Sequence, residues 1–280
     1  MHFRYTTLLA ALGLAFSASS ALAGPFAPAP GKVNPAAIPG QENSLAVHKD
    51  SADFVQWATG YENYLPGPNV DAQWKTPEKA LGKAAGDSFD IVVLGDQGTI
   101  TLTFDGYLYN GSGWDFAVFE NSFSDTFLEL AFVEVSSNGT DFFRFPSISL
   151  TPGPVTAFGN IDPTNIDGLA GKYRQGYGTP FDLDALSGIA GLDIDHVTHV
   201  RLVDIKGNGT EFDNYPAEYG GPNPIYDPFQ TVGSGGFDLD AVGLRYYTAA
   251  AVPEPSTYAM LLASLGLIAF RMRRHTRARA

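Results

Sequence analysis

Thirty-one glycines and nineteen prolines are spread through 280 residues. That density places a helix breaker about every six positions, which suits strands of usual length and leaves little room for long helices. Between the breakers the pattern has period two. Thr99-Ile100-Thr101-Leu102-Thr103-Phe104 alternates polar and apolar residues without a fault, as a half-buried strand does. Phe89 to Leu94 precedes it across Gly95-Asp96-Gln97-Gly98. Asp115 to Glu120 reads as a strand packed on both faces. Glu129 to Ser137 and Thr140 to Phe145 flank Asn138-Gly139, which predicts a type I′ hairpin. Val197 to Ile205 and Gly236 to Tyr247 supply further strands. Helical expectations are confined to Thr76–Ala85 and to a turn before Ile189 capped by Asp182 or Asp184. The fold expected is all-β, a jelly-roll-like β-sandwich.

Composition narrows the chemistry. The chain has no cysteine, so it has no disulfide framework, thiolate zinc or iron–sulfur site, or thiol nucleophile. A net charge of −13 opposes nucleic-acid binding, which needs a basic face toward phosphate. A hydrophobic share of 44% with 13% aromatics provides a core and argues against disorder.

The two ends differ from the middle. Residues 1–23 carry His2 and Arg4, an apolar run from Leu8 to Phe16, then Ala21-Leu22-Ala23. This is the layout of a secretory signal peptide, with the mature chain starting at Gly24. At the other end Val252-Pro253-Glu254-Pro255 is followed by an apolar run from Tyr258 to Phe270. Arg271, Arg273, Arg274, Arg277 and Arg279 come after it. The run is expected to form one C-terminal transmembrane helix, with its basic tail on the cytoplasmic side.

This tripartite ending, over residues 249–280, resembles the PEP-CTERM sorting signal of Gram-negative bacteria. The resemblance implies recognition by exosortase, a membrane transpeptidase that cuts near the Pro-Glu-Pro, and transient anchoring in the inner membrane. It also implies release to the cell surface or to an exopolysaccharide and biofilm matrix.

Without its ends the chain is more acidic. Residues 24–252 hold eleven Lys or Arg against twenty-nine Asp or Glu, a net charge of −18. Residues 24–48, rich in Pro and Ala, read as a flexible arm, and residues 49–248 as the sandwich domain. The domain resembles the cell-surface domain that often accompanies this sorting signal. The matching stretches are Trp74 to Gly82, Asp115 to Asn121, Phe127 to Val135 and Gly235 to Val242. The last of them is also similar to the final strand of galactose-binding-like jelly rolls, carbohydrate-binding modules included.

Two kinds of site are expected. Residues two apart on a strand share a face, so Asp238 and Asp240 point the same way, with Val242 and Leu244 beyond them. Asp204 shares a face with Val200 and Leu202. Carboxylates so placed need a cation, backbone donors or a basic partner. Calcium, which takes six to eight oxygen ligands, is one answer. The candidate ligands are Asp115, Glu120 and Asn121; Asp238 and Asp240; and Asp53 with Glu62 and Asp71. Turn amides are the alternative partners. No EF-hand pattern is present. The second kind is a sugar site, built from aromatic platforms and polar partners. Tyr215, Tyr219 and Tyr226 lie in a Gly/Pro-rich acidic segment that suits it; the alternative is that they pack a long loop onto the sandwich.

Catalytic constellations are weak. His196 and His199 are three apart on a strand and face opposite ways. No Gly-x-Ser-x-Gly elbow occurs. Glu129 with Glu134, or Asp115 with Glu120, sit five apart, on opposite faces, unlike the paired carboxylates of a glycosidase. The expectation is therefore an exported, non-enzymatic surface or matrix protein whose sandwich binds polysaccharide or another surface component. A purely structural surface protein and a carbohydrate-active enzyme are the alternatives.

Overall fold

The computed structural model describes residues 44–214 and 220–250, together with Gly24, Phe26, Pro39 and Leu265. The expected signal peptide, most of the arm, Tyr215, Tyr219 and the sorting segment with Val252, Pro253, Glu254, Pro255, Arg271, Arg273 and Arg274 lie outside the described residues.

The strands in chain order are β1 (Val47–His48), β2 (Gln56–Trp57), β3 (Gly60–Leu65), β4 (Val92–Val93), β5 (Thr99–Leu108), β6 (Phe116–Glu120), β7 (Ala131–Ser136) and β8 (Phe143–Arg144). They continue with β9 (Ile148–Ser149), β10 (Ile166–Asp167), β11 (Tyr177–Phe181), β12 (Val197–Asp204), β13 (Asn208–Phe212), β14 (Pro224–Tyr226), β15 (Asp238–Leu244) and β16 (Tyr247–Ala249). One six-stranded sheet runs β1-β11-β6-β15-β2, with β4 also on β15. The other runs β16-β5-β12-β7-β8, with β3 also on β5. All strand pairs are antiparallel. The strands β5, β6, β7, β11, β12 and β15 alternate between the two sheets in chain order.

The core lies between the sheets. Ile100, Leu102, Val133, Val135, Val200 and Leu202 face Phe116, Val118, Phe181, Leu239, Val242 and Leu244. The β6 sheet is covered on its other face too, where Ala117, Phe119 and Ala241 pack under Phe54, Trp57 and Trp114. This double cover is why all five residues of β6 are buried. A satellite core of Leu128, Leu130, Ile161, Ile166, Leu169, Ile205 and Ile225 sits under the long connections.

The all-β sandwich is what the structure shows, and among the described residues the first strand starts at Val47, inside the segment expected to be an arm. The expected transmembrane helix, and with it transient membrane anchoring, is corrected. Among the described residues no helix is long and apolar enough to cross a membrane. The run from Tyr258 to Phe270 lies outside them apart from Leu265. At about 1.5 Å per helical residue, its thirteen residues correspond to ~20 Å against a hydrocarbon core ~30 Å thick.

Three local expectations also change. Gly139 has φ +73° but Asn138 has no positive φ, so the turn is not type I′. Asn138 Oδ1 instead accepts the amides of Thr140 and Asp141, each at 2.9 Å, an Asx-type turn that needs a longer loop. The stretch from Gly236 to Tyr247 is two strands in different sheets, with Arg245-Tyr246 at the corner. The register also shifts between Leu239 and Ala241. This bulge turns Val242 and Leu244 into the core with Leu239, away from the face of Asp238 and Asp240. Thr76–Ala85 holds only a short 3-10 turn, Pro77–Ala80. Asp182 caps a second such turn, Leu183–Leu186, by accepting the Asp184 amide at 3.0 Å.

Candidate functional site

At the end of the sandwich where β6 finishes and β15 begins, Glu120 pairs with Leu239. The chain leaving β6 and the chain entering β15 enclose a cavity of about 270 Å³. Trp74, Phe89, Phe123, Phe127 and Phe158 form its wall, and Glu129 and Asp238 contribute carboxylates to it.

The wall is unusual for a water-facing surface. Phe89, Phe123 and Phe158 are 72%, 66% and 83% exposed. Phe127 stacks between two rings, 5.1 Å from Phe123 and 6.4 Å from Phe158, at interplanar angles of 19° and 21°. A stack whose two outer rings are this exposed is not a packing requirement of the sandwich. Serine hydroxyls hold the loop that carries two of them. Ser122 donates to the carbonyls of Ser124 and Phe127. Ser124 Oγ accepts the Phe127 amide at 2.8 Å. The Thr126 carbonyl accepts the Ile161 amide at 2.8 Å, which docks the Phe158 loop beside it.

The acidic part is buried. Glu129 and Asp238 are each 6% exposed, and Glu120 behind them 1%. Glu129 Oε1 accepts the Gly236 amide at 2.7 Å, and Glu120 Oε2 accepts the Ser122 amide at 2.8 Å. Glu120 Oε1 and Asp238 Oδ1 have no hydrogen-bond partner among the described residues. No Lys or Arg lines the cavity. Burial, reinforced by the neighbouring carboxylates Glu129 and Asp238, pushes the Glu120 carboxyl well above the usual range. Burial and the charge of Glu129 do the same to Asp238. Burial also raises Glu129, to about 8, against the stabilising Gly236 amide.

The other expected ligands lie elsewhere. Asp115 is at the opposite end of β6, where its two oxygens accept the amides of Gly111 at 2.8 Å and Leu183 at 2.7 Å. Asp240 accepts the amides of Ala85 at 2.9 Å and Gly86 at 2.8 Å. Each is saturated by backbone donors, the alternative partner to a metal. Burial nevertheless raises both to about 6. Asp53 is exposed and accepts the Ser51 hydroxyl at 3.2 Å. Asn121 is buried at the cavity and donates to the Ser88 carbonyl at 3.4 Å. Among the described residues no three His, Cys, Asp or Glu side chains form a group that would hold a metal ion. Tyr226, on β14, lies over Gly209, whose added Cβ would meet its ring at 2.5 Å, and it does not line the cavity.

The carboxylate pairs considered for catalysis separate. Glu134 is held by Arg144, at 2.8–2.9 Å, and by Arg201, at 2.5–2.6 Å. These guanidinium groups lie over the rings of Phe132 and Phe142 at 3.9 and 3.8 Å. His196 and His199, expected on opposite faces, instead line one surface pocket with Tyr107 and Glu62, because the strand register shifts between Val197 and His199; His196 lies on the Tyr107 ring at 4.0 Å and His199 bonds Thr198 at 2.7 Å. Sequence reasoning missed the phenylalanine rim and the role of Glu129. The signal for the rim was Phe123 and Phe127 within Asn121-Ser122-Phe123-Ser124-Asp125-Thr126-Phe127, aromatic residues in a polar loop where no strand face needs them.

Residues 251–274 match the PEP-CTERM protein-sorting motif. The motif implies recognition by an exosortase and supports an exported, cell-surface location. No curated protein matches the chain.

Proposed function

From the sorting motif at residues 251–274, we propose that this chain is a surface or extracellular-matrix protein whose sandwich binds polysaccharide in the aromatic cavity. The observation that carries the reading is the exposed rings of Phe123 and Phe158, held in a near-parallel stack by Phe127 between them, beside buried polar groups. Sugar rings present apolar C–H faces that pack on aromatic rings, while hydroxyls bond the polar groups between them. A contiguous exposed apolar patch on an exported protein marks an interaction surface. The role proposed is binding, with exosortase as the processing partner and an exopolysaccharide or cell-surface glycan as the ligand.

A glycan array probed with the purified full chain, alongside Phe127→Ala, tests this. Binding by the wild type that the variant loses, with an unchanged melting curve, supports the reading. No binding to any glycan leaves the purely structural alternative.

A further inference from the structure

The chemistry of the cavity is one-sided. Its charged side chains are both acids. Asp238 Oδ1 is buried and unpartnered, and so is Glu120 Oε1 just behind it. Aromatic ring faces are the negative ends of their quadrupoles, so the wall adds to the same sign. A ligand with hydroxyls alone would satisfy Asp238 Oδ1 but give the buried acids no counter-ion beside which to ionise. A bare metal ion fits poorly, because the carboxylates do not assemble as a ligand group and aromatic walls offer a hard cation no oxygen. A protonated amine matches both surfaces. It donates N–H bonds to a carboxylate and is attracted by the ring faces around it. A cavity of about 270 Å³ is at the small end of ligand sites, which run from roughly 300 to 1,000 Å³. It therefore suits one sugar-sized ring and not a long stretch of chain.

Resting on the glycan-binding reading above, we infer that the cavity selects a polysaccharide bearing free amino groups, a de-N-acetylated amino sugar, with the ammonium set against Asp238 and Glu129. Glu120 behind them, and Asp204 and Asp227 beyond Glu129, are the other buried acids that act on this charge. Burial holds Glu129 mostly protonated in the free protein at neutral pH and below. An arriving ammonium stabilises its ionised form, so binding expels protons.

The test is titration calorimetry of the purified full chain at pH 6 with three hexamers: β-1,4-linked glucosamine, its N-acetylated counterpart and a neutral β-1,4-glucan. The expected result is at least about tenfold tighter binding of the glucosamine hexamer than of either other. Proton release should also appear as a difference in heat between two buffers of unequal ionisation enthalpy. Asp238→Asn, an isosteric change, should abolish the preference, whereas Glu62→Gln, exposed on β3, should keep it. A preference that survives in Asp238→Asn, or is lost equally in Glu62→Gln, reduces the effect to the bulk charge of an acidic protein and overturns the inference. Equal binding of all three hexamers overturns it while leaving the glycan reading intact. Failure of all three, with a blank glycan array, removes the glycan reading itself. If Asp238→Asn fails to fold, Phe123→Ala takes its place, since it alters the exposed wall of the same cavity without changing net charge: loss of the glucosamine preference supports the inference and its survival overturns it.

Discussion

Asp204, on β12 of one sheet, accepts the backbone amide of Phe237 at the entrance to β15 of the other, at 2.6 Å. Its second oxygen takes the Gln97 amide at 3.1 Å. One buried carboxyl thus ties the two layers of the sandwich and fixes the chain that enters the cavity. Asp204→Ala should leave both amides without that acceptor inside the protein. A loss of about 2–4 kcal/mol in urea unfolding is expected from such unsatisfied groups. Asp204→Asn, which keeps an acceptor oxygen, should cost less.

The buried acids set a pH dependence of known sign. Glu129 is raised from 4.5 to about 8, and Asp115 and Asp240 from 3.8 to about 6, by burial. A carboxyl whose folded pKa exceeds its unfolded value binds more protons when folded, so stability falls as pH rises between the two values. The groups shifted down, Asp50, Glu78 and Asp87, lie on the surface, and their effect runs the other way below about pH 4. The melting temperature should therefore be highest near pH 4 and drop by several degrees toward pH 8. A flat or rising profile across that range would contradict the assignment.

Glu134 is the contrasting acid, buried but paired with two arginines. Glu134→Gln should remove a charged acceptor shared by both guanidinium groups and cost about 2–3 kcal/mol by denaturant titration. Glu62→Gln, on the exposed side of β3, should change stability by less than about 0.5 kcal/mol.

Gly171 positions the cavity acid. Its φ is +85°, and a Cβ there would lie 1.9 Å from the Glu129 carbonyl oxygen. Gly171→Ala combines a left-handed backbone with a backbone clash. It should lower the unfolding free energy by about 3 kcal/mol and weaken glycan binding by displacing Glu129. Phe158→Ala should do the opposite: leave stability within ~0.5 kcal/mol, since the ring is 83% exposed, yet weaken glycan binding by about fivefold.

Processing gives the last prediction. Replacing Pro253, Glu254 and Pro255 by alanine, within the matched sorting motif, should stop C-terminal cleavage in a host with an exosortase. Mass spectrometry of the mature protein reads this directly: a C-terminus unchanged from wild type would contradict it.

Where a feature is encoded locally, the sequence was a good guide. The patterned runs located β5, β12 and β15 and the continuous apolar run located β6, while Asp182 was legible as one of two candidate caps because its partner is two residues away. Asp204 could be placed on an apolar face by counting along β12. The misreadings involve features that neighbours in sequence do not determine. The bulge beyond Leu239 reverses the faces of Val242 and Leu244, and it depends on pairing with β6, more than a hundred positions earlier. Asn138-Gly139 lacks the double positive φ because Asn138 uses its side chain to close a longer loop. Glu120, Glu129 and Asp238 meet only because β6 and β15 are neighbours while the chain between β6 and β7 folds back over them. The period-two pattern that reveals a strand says nothing about which strand lies beside it.

The corner at Arg245-Tyr246 has a mechanical consequence. The strand before it, β15, lies inside one sheet, between β6 and the pair β2 and β4; the strand after it, β16, is three residues on the margin of the other, on β5. A pull on the chain beyond Ala250 meets β16 first. That margin can peel away as a sacrificial fuse while β15, gripped from both sides, keeps the sandwich shut.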